Sequence, residues 1–182
     1  MPYFKSYFES NIIMVGVDYG RLSVEELCQY MEQKYYRQVD LCLQTVESYI
    51  QSGEVMEYAD LLFSLFFKIR DEWGQLARKE TMILFPFLDE VRKGDKKINS
   101  KPIEWIKEVH QKILDLFYQV RPLVNYYSLQ PCWSNAYQLF CSELYLLDQQ
   151  VLEIINVKEN FLFPKLFSRS SEFTLYSKDI IL

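Results

Sequence analysis

The sequence predicts an all-α protein, folded as an up-down-up-down four-helix bundle. Apolar residues recur at steps of three and four through four long segments. Short breaks separate those segments, which makes consecutive helices antiparallel neighbours. Glycines number five and prolines six, and alternating stretches of the kind that form strands are hard to find. At 182 residues and 49% hydrophobic content, the chain is long enough to bury one core.

Residues 1–21 are a poorly patterned leader, 22–167 form the bundle, and 168–182 are a Ser-rich, then charged, tail. Ser23 before Val24-Glu25-Glu26 has the pattern of an N-cap followed by an acidic first turn, so the first helix should run from there to Ile50. Ser52-Gly53 breaks it, and a second helix spans roughly Val55–Phe85. Gly94 and Asp95 form the next turn. Ser100-Lys101-Pro102 opens a third helix, which reaches about Tyr127. After Leu129-Gln130-Pro131 the fourth begins near Cys132 and continues to Phe163.

The second and fourth helices close on related seven-residue endings, 78 positions apart. One is Glu80-Thr81-Met82-Ile83-Leu84-Phe85-Pro86 and the other Lys158-Glu159-Asn160-Phe161-Leu162-Phe163-Pro164. Proline lacks an N–H and its ring clashes with the preceding turn, so Pro86 and Pro164 are expected to terminate these helices. Each ending begins on a charged residue that falls within an apolar stripe. The second helix gives Leu62, Phe66, Ile69, Trp73, Leu76, Glu80 and Ile83. The fourth gives Phe140, Leu144, Leu147, Val151, Ile154, Lys158 and Phe161. The third stripe, Ile103 to Val124, is interrupted at His110. A charge in a core is costly unless paired, liganded or neutralised. In an antiparallel bundle Glu80 and Lys158 can lie at one level, and His110 can approach it from the facing end. The expected arrangement is a Glu80–Lys158 ion pair, with His110 or a first-helix tyrosine, Tyr35 or Tyr36, completing the hydrogen bonds. In the bland alternative, His110 is a satisfied core histidine and Lys158 snorkels to water.

Composition excludes several classes. The net charge is −5 and lysine and arginine are not clustered, which argues against nucleic acid and anionic membrane surfaces as partners. No apolar run approaches the roughly 18 residues needed to span a bilayer. Asn11–Val17 is too short and poorly flanked for a signal peptide. Cys28 and Cys42, about 21 Å apart along one helix, cannot bridge each other. The four cysteines lack C-x-x-C spacing and fit a reducing cytoplasm. The abundant aromatics, 16% of the chain, fall mostly at helical spacing and read as core.

At the twin endings the chain resembles the hemerythrin-like (HHE cation-binding) proteins. It is most similar to the iron–sulfur cluster repair di-iron proteins linked to nitrosative and oxidative stress. The resemblance covers about residues 22–167, with Pro131-Cys132 and the spacing to Leu162-Phe163-Pro164 matching well. It implies a di-iron centre held by a His-x-x-x-Glu pair ahead of each Leu-Phe-Pro, with further histidines in the first helix, the following loop and the third helix. Carried over by position, two ligands survive, Glu80 and His110. The first-helix histidine falls on Tyr36, or on Tyr35 in a slipped register, and the loop histidine near Ser52. The remaining ligand positions hold Leu76, Ile154 and Lys158. Glu153 and Glu159 flank the last two but point to other faces of the helix. Leucine and isoleucine cannot coordinate, and an ammonium repels a cation where a bridging anion is required.

The expected function is therefore that of a metal-free hemerythrin-like protein. It acts by binding or as a scaffold, without enzymatic activity or cofactor, on an unidentified protein partner. A metal-competent relative and a second copy of this chain are both open as that partner. The alternative is an active di-iron protein that repairs iron–sulfur clusters or responds to oxygen or nitric oxide. A small-molecule pocket in the place of the metals is a third reading.

Overall fold

The computed structural model describes residues 17–53, 59–92 and 101–166, and every regular element among them is helical. The first helix covers 24–51. Ser23 opens it with a capping box: its hydroxyl accepts the Glu26 N–H at 3.2 Å, and the Glu26 carboxylate accepts the Ser23 N–H at 2.7 Å. A π-helical turn, Met31–Tyr36, lies inside this helix. The second helix comprises Ala59–Lys79, a π-turn at Glu80–Leu84, and Phe85–Arg92. The third is Lys101–Leu123. The fourth starts behind the Ser134 cap with Asn135–Val157, passes through a π-turn at Lys158–Leu162 and continues to 166.

The four helices pack antiparallel as a bundle. Cross-helix pairs run in opposite directions along each neighbour: Tyr36 meets Glu80 while Glu47 meets Arg70, and His110 meets Glu159 while Arg121 meets Asp148. Leu27, Phe66, Ile69, Phe117, Phe140 and Leu144 are fully buried at the centre. Their removal from water drives assembly at about 25 cal/mol per Å² of apolar surface.

Two expectations are corrected at the twin endings. Pro86 and Pro164 do not terminate their helices, which continue to Arg92 and 166. The π-turn just upstream explains the tolerance. It widens the backbone so that the Phe85 N–H bonds to the Glu80 carbonyl and the Phe163 N–H to the Lys158 carbonyl. The regular ladder is thus already open where proline's missing donor and ring would break it. The extra residue also rotates the downstream side chains about the helix axis. Ile83, expected in the core, is 63% exposed, and Phe161 is only half-buried. Leu84 and Leu162 take the buried positions instead.

The third helix stops at Leu123, short of the expected Tyr127. Beyond Val124, Asn125, Tyr126 and Tyr127 follow with φ of 48°, 52° and 61°, three consecutive non-glycine residues in the left-handed region. Such conformations cost about 1–2 kcal/mol per residue. A buried network anchors the turn: the Arg121 guanidinium grips Asp148 at 2.8 and 2.9 Å, and the Tyr127 hydroxyl donates to the same carboxylate at 2.8 Å. Before the first helix, Lys165 donates to the backbone carbonyls of Tyr19, Gly20 and Leu22, so part of the expected leader docks on the end of the fourth helix. The expected tail, 168–182, lies outside the described residues, as do most of the leader and the turn at Gly94.

Candidate functional site

Each π-turn brings a polar residue of interest into the interior. Tyr35 and Tyr36 sit in the first, Glu80 opens the second and Lys158 opens the third. Glu80 and Lys158 meet with Nζ 2.6 Å from Oε2, and neither side chain has any exposed surface. The Tyr36 hydroxyl donates to the same Glu80 oxygen at 2.5 Å. Lys158 Nζ also lies 5.2 Å from the Tyr36 ring centroid and 5.8 Å from that of Trp73, within cation–π range. The cluster thus joins the first, second and fourth helices through one carboxylate oxygen.

Burial governs the protonation of these groups. It pushes the Tyr36 phenol well above its ordinary value, and the adjacent Glu80 carboxylate pushes it the same way. It lowers the Lys158 ammonium, which Glu80 partly restores. The neighbouring Cys28 thiol is pushed up to about 12, by burial first and by Glu80 second. It is therefore a protonated, unreactive thiol at neutral pH.

His110 is brought near but not into the pair. Its ring is 1% exposed and stacks on Phe163 at 6.4 Å, while Nδ1 lies 3.3 Å from Glu159 Oε1. The Glu159 side chain is 39% exposed and screened by water, so its pull is weak. Burial, then the Lys158 and Lys107 ammoniums, press the imidazole down to about 2. His110 Nε2 and Glu80 Oε1 are buried without hydrogen-bond partners. Tyr35 goes elsewhere and donates to Glu153. Leu76 and Ile154 are buried, at 1% and 0% exposure, and Ser52 closes the first helix on an exposed turn.

Two further polar clusters lie away from the Glu80–Lys158 pair, and Tyr35 joins one of them instead of that pair. One joins Tyr19, Tyr35 and Glu153, and the other joins Arg121, Tyr127 and Asp148. Asp148 was legible in principle, since it follows buried Cys141 by two helical turns on the same face. Glu153 and Tyr19 carried no comparable signal.

A di-iron centre needs several anionic carboxylates and neutral imidazoles around one volume. Here the carboxylate in question already binds an ammonium at 2.6 Å, and the flanking positions are aliphatic. Among the described residues, no three His, Cys, Asp or Glu side chains converge in a way that could hold a metal. The residues present do not fit that group. No helix among them is long and apolar enough to cross a membrane.

Neither a protein-family model nor a curated protein matches this chain.

Proposed function

We propose that the chain is a hemerythrin-like protein in which an ion pair stands in place of a di-iron centre, and that it works without metal or catalysis. On this reading it is a cytoplasmic binding or scaffold protein. Its partner is another protein, either a metal-competent relative or a second copy. The observation that carries the reading is the fully buried Glu80–Lys158 contact with Tyr36 on the same oxygen. A carboxylate left alone after metal loss would be an uncompensated buried anion, and an ammonium in the opposing position neutralises it. Met82 and Ile83, exposed 74% and 63% on the outer side of the second π-turn, supply apolar surface of the kind a partner covers. Cys28, Cys42, Cys132 and Cys141 are all free, as suits a reducing compartment.

The test is the metal content of protein purified from iron-supplemented cells. The expected result is no stoichiometric iron, and two irons per chain with an oxo-bridged absorption band would overturn the reading. The combined variant Tyr36→His, Leu76→His, Ile154→His, Lys158→Glu is expected to gain iron affinity that the parent lacks. Equal iron binding by the two proteins would show that the positional correspondence is mistaken.

A further inference from the structure

The polar cluster at Tyr19, Tyr35 and Glu153 shares no residue with the Glu80–Lys158 pair or with the Arg121 network. Tyr35 is 2% exposed, and its hydroxyl donates to Glu153 Oε1. Tyr19, half-buried in the segment before the first helix, has its hydroxyl 3.0 Å from the same oxygen and against the Tyr35 oxygen, so its one proton is shared between those two acceptors. Two phenols from separate segments therefore share one carboxylate oxygen of the fourth helix. Burial, followed by contact with Glu153, holds the Tyr35 phenol far above its ordinary value, and burial raises Tyr19 to about 12. Both keep their protons at neutral pH while a base sits against each.

A phenol placed in this way is easier to oxidise than one hydrogen-bonded only to water. Removing an electron from a tyrosine makes its hydroxyl strongly acidic, so a hydrogen-bonded base that accepts the proton in the same step lowers the barrier. The Lys34 ammonium lies over the Tyr30 and Tyr35 rings, with centroids at 5.0 and 5.7 Å. A cationic ring beneath it would be repelled, which favours loss of the proton together with the electron. The Tyr35 ring is 5.4 Å from that of Tyr30, which is 6.0 Å from Tyr19, so aromatic contacts lead from the buried phenol toward the surface. Tyr36, next in sequence, touches Trp73 edge-on at 5.5 Å and donates to its own carboxylate, Glu80.

We propose that Tyr35, Tyr19 and Glu153 form a redox site that gives one electron to a radical oxidant of the peroxyl class, with Glu153 taking the phenolic proton. The O–H bond of Tyr35 breaks, its proton forms a carboxylic acid on Glu153, and its electron reduces the peroxyl radical to a hydroperoxide anion. This leaves a neutral tyrosyl radical. A thiol-class reductant that reaches half-exposed Tyr19 returns the electron and becomes a thiyl radical, its own proton going to the hydroperoxide anion, while Glu153 returns the phenolic proton to Tyr35. This activity is independent of the proposed binding role and of any metal.

The test is pulse radiolysis of the full chain with alkylperoxyl radicals, followed by tyrosyl absorbance and electron paramagnetic resonance. The chain holds 14 tyrosines, so the readout has to be specific to this cluster. A fast radical phase with a solvent deuterium isotope effect is expected. A general base contributes on the order of 10²-fold to such proton transfers, so Glu153→Gln should slow that phase by at least about tenfold and remove the isotope effect. Tyr35→Phe should abolish it, and Tyr118→Phe, at a 63%-exposed position, should leave it unchanged. A fast phase insensitive to Glu153→Gln or Tyr35→Phe, or one lost in Tyr118→Phe, overturns the proposal. If Tyr35→Phe impairs folding, fluorotyrosine at position 35 preserves the hydroxyl contacts. Fluorine hyperfine splitting on the radical then supports the assignment, and its absence overturns it.

Discussion

A histidine that stays neutral inside a core makes the fold sensitive to acid in a calculable way. The His110 imidazole is held down to about 2, against an ordinary value near 6.5, mainly by burial. Between those two values the unfolded chain binds a proton that the folded chain excludes. Stability is therefore fully present above about pH 6.5 and declines as pH falls through that window, by up to about 1.4 kcal/mol per pH unit. From pH 6.5 to 5, before most carboxylates titrate, the loss assignable to His110 is about 1.5 kcal/mol. His110→Leu should remove that component, giving a flatter curve of urea-unfolding free energy against pH; an unchanged slope would mean the imidazole gains its proton in the folded state. Single-residue logic also explains what the sequence disclosed. Glu80, His110 and Lys158 each interrupt an apolar stripe, and such interruptions stand out. Tyr35 does not, because a tyrosine suits a stripe whether its hydroxyl is idle or bonded. Glu153 lies off the stripe and resembles a solvated charge until the structure places two phenols on it.

The helical elements show where local pattern stops being informative. Helix existence, order and approximate length followed from periodicity, because repeated burial of one face is written into successive residues. The π-turns did not, since one inserted residue changes the stripe by a single step and has no composition of its own. Local pattern therefore predicts a stop at Pro86 and Pro164, where proline is a passenger behind an opened turn. An unrelieved proline in a helix interior costs about 3 kcal/mol or more. If the turn at Glu80–Leu84 relieves that cost, Pro86→Ala should change unfolding free energy by less than about 1 kcal/mol, a range that also covers proline's restriction of the unfolded chain. Chemical denaturation of the two proteins decides it: stabilisation near 3 kcal/mol would mean that Pro86 strains the helix despite the turn. The same reasoning accounts for the outward Ile83 and inward Leu84.

At the scale of the whole molecule, the buried ion pairs among the described residues lie at two levels of the bundle. The Glu80–Lys158–Tyr36 cluster lies toward the end where the first helix begins, and Asp148–Arg121–Tyr127 toward the end where the third helix stops. Lys158 and Asp148 are ten residues apart on one helix, about 15 Å, and Val151, Ile154 and Ile155 are buried between them. The two clusters share no partner, so each poses a separate electrostatic problem linked by apolar packing. Double-mutant cycles read that separation directly. Glu80→Leu or Lys158→Met alone leaves a fully buried charge unpaired and should cost on the order of 3–5 kcal/mol, whereas the double substitution should recover most of the loss. Asp148→Leu strands Arg121, but the arginine side chain is 20% exposed and reaches water, so its cost should be smaller, about 1–3 kcal/mol. Combined with Glu80→Leu, the Asp148→Leu effect should simply add, to within about 0.5 kcal/mol. Strong coupling in the first cycle and none in the second is the expected pattern. If the first cycle is additive, Lys158 finds water without Glu80 and the ion pair does not replace a lost ligand. If the second is coupled, the fourth helix transmits strain between the two ends of the bundle.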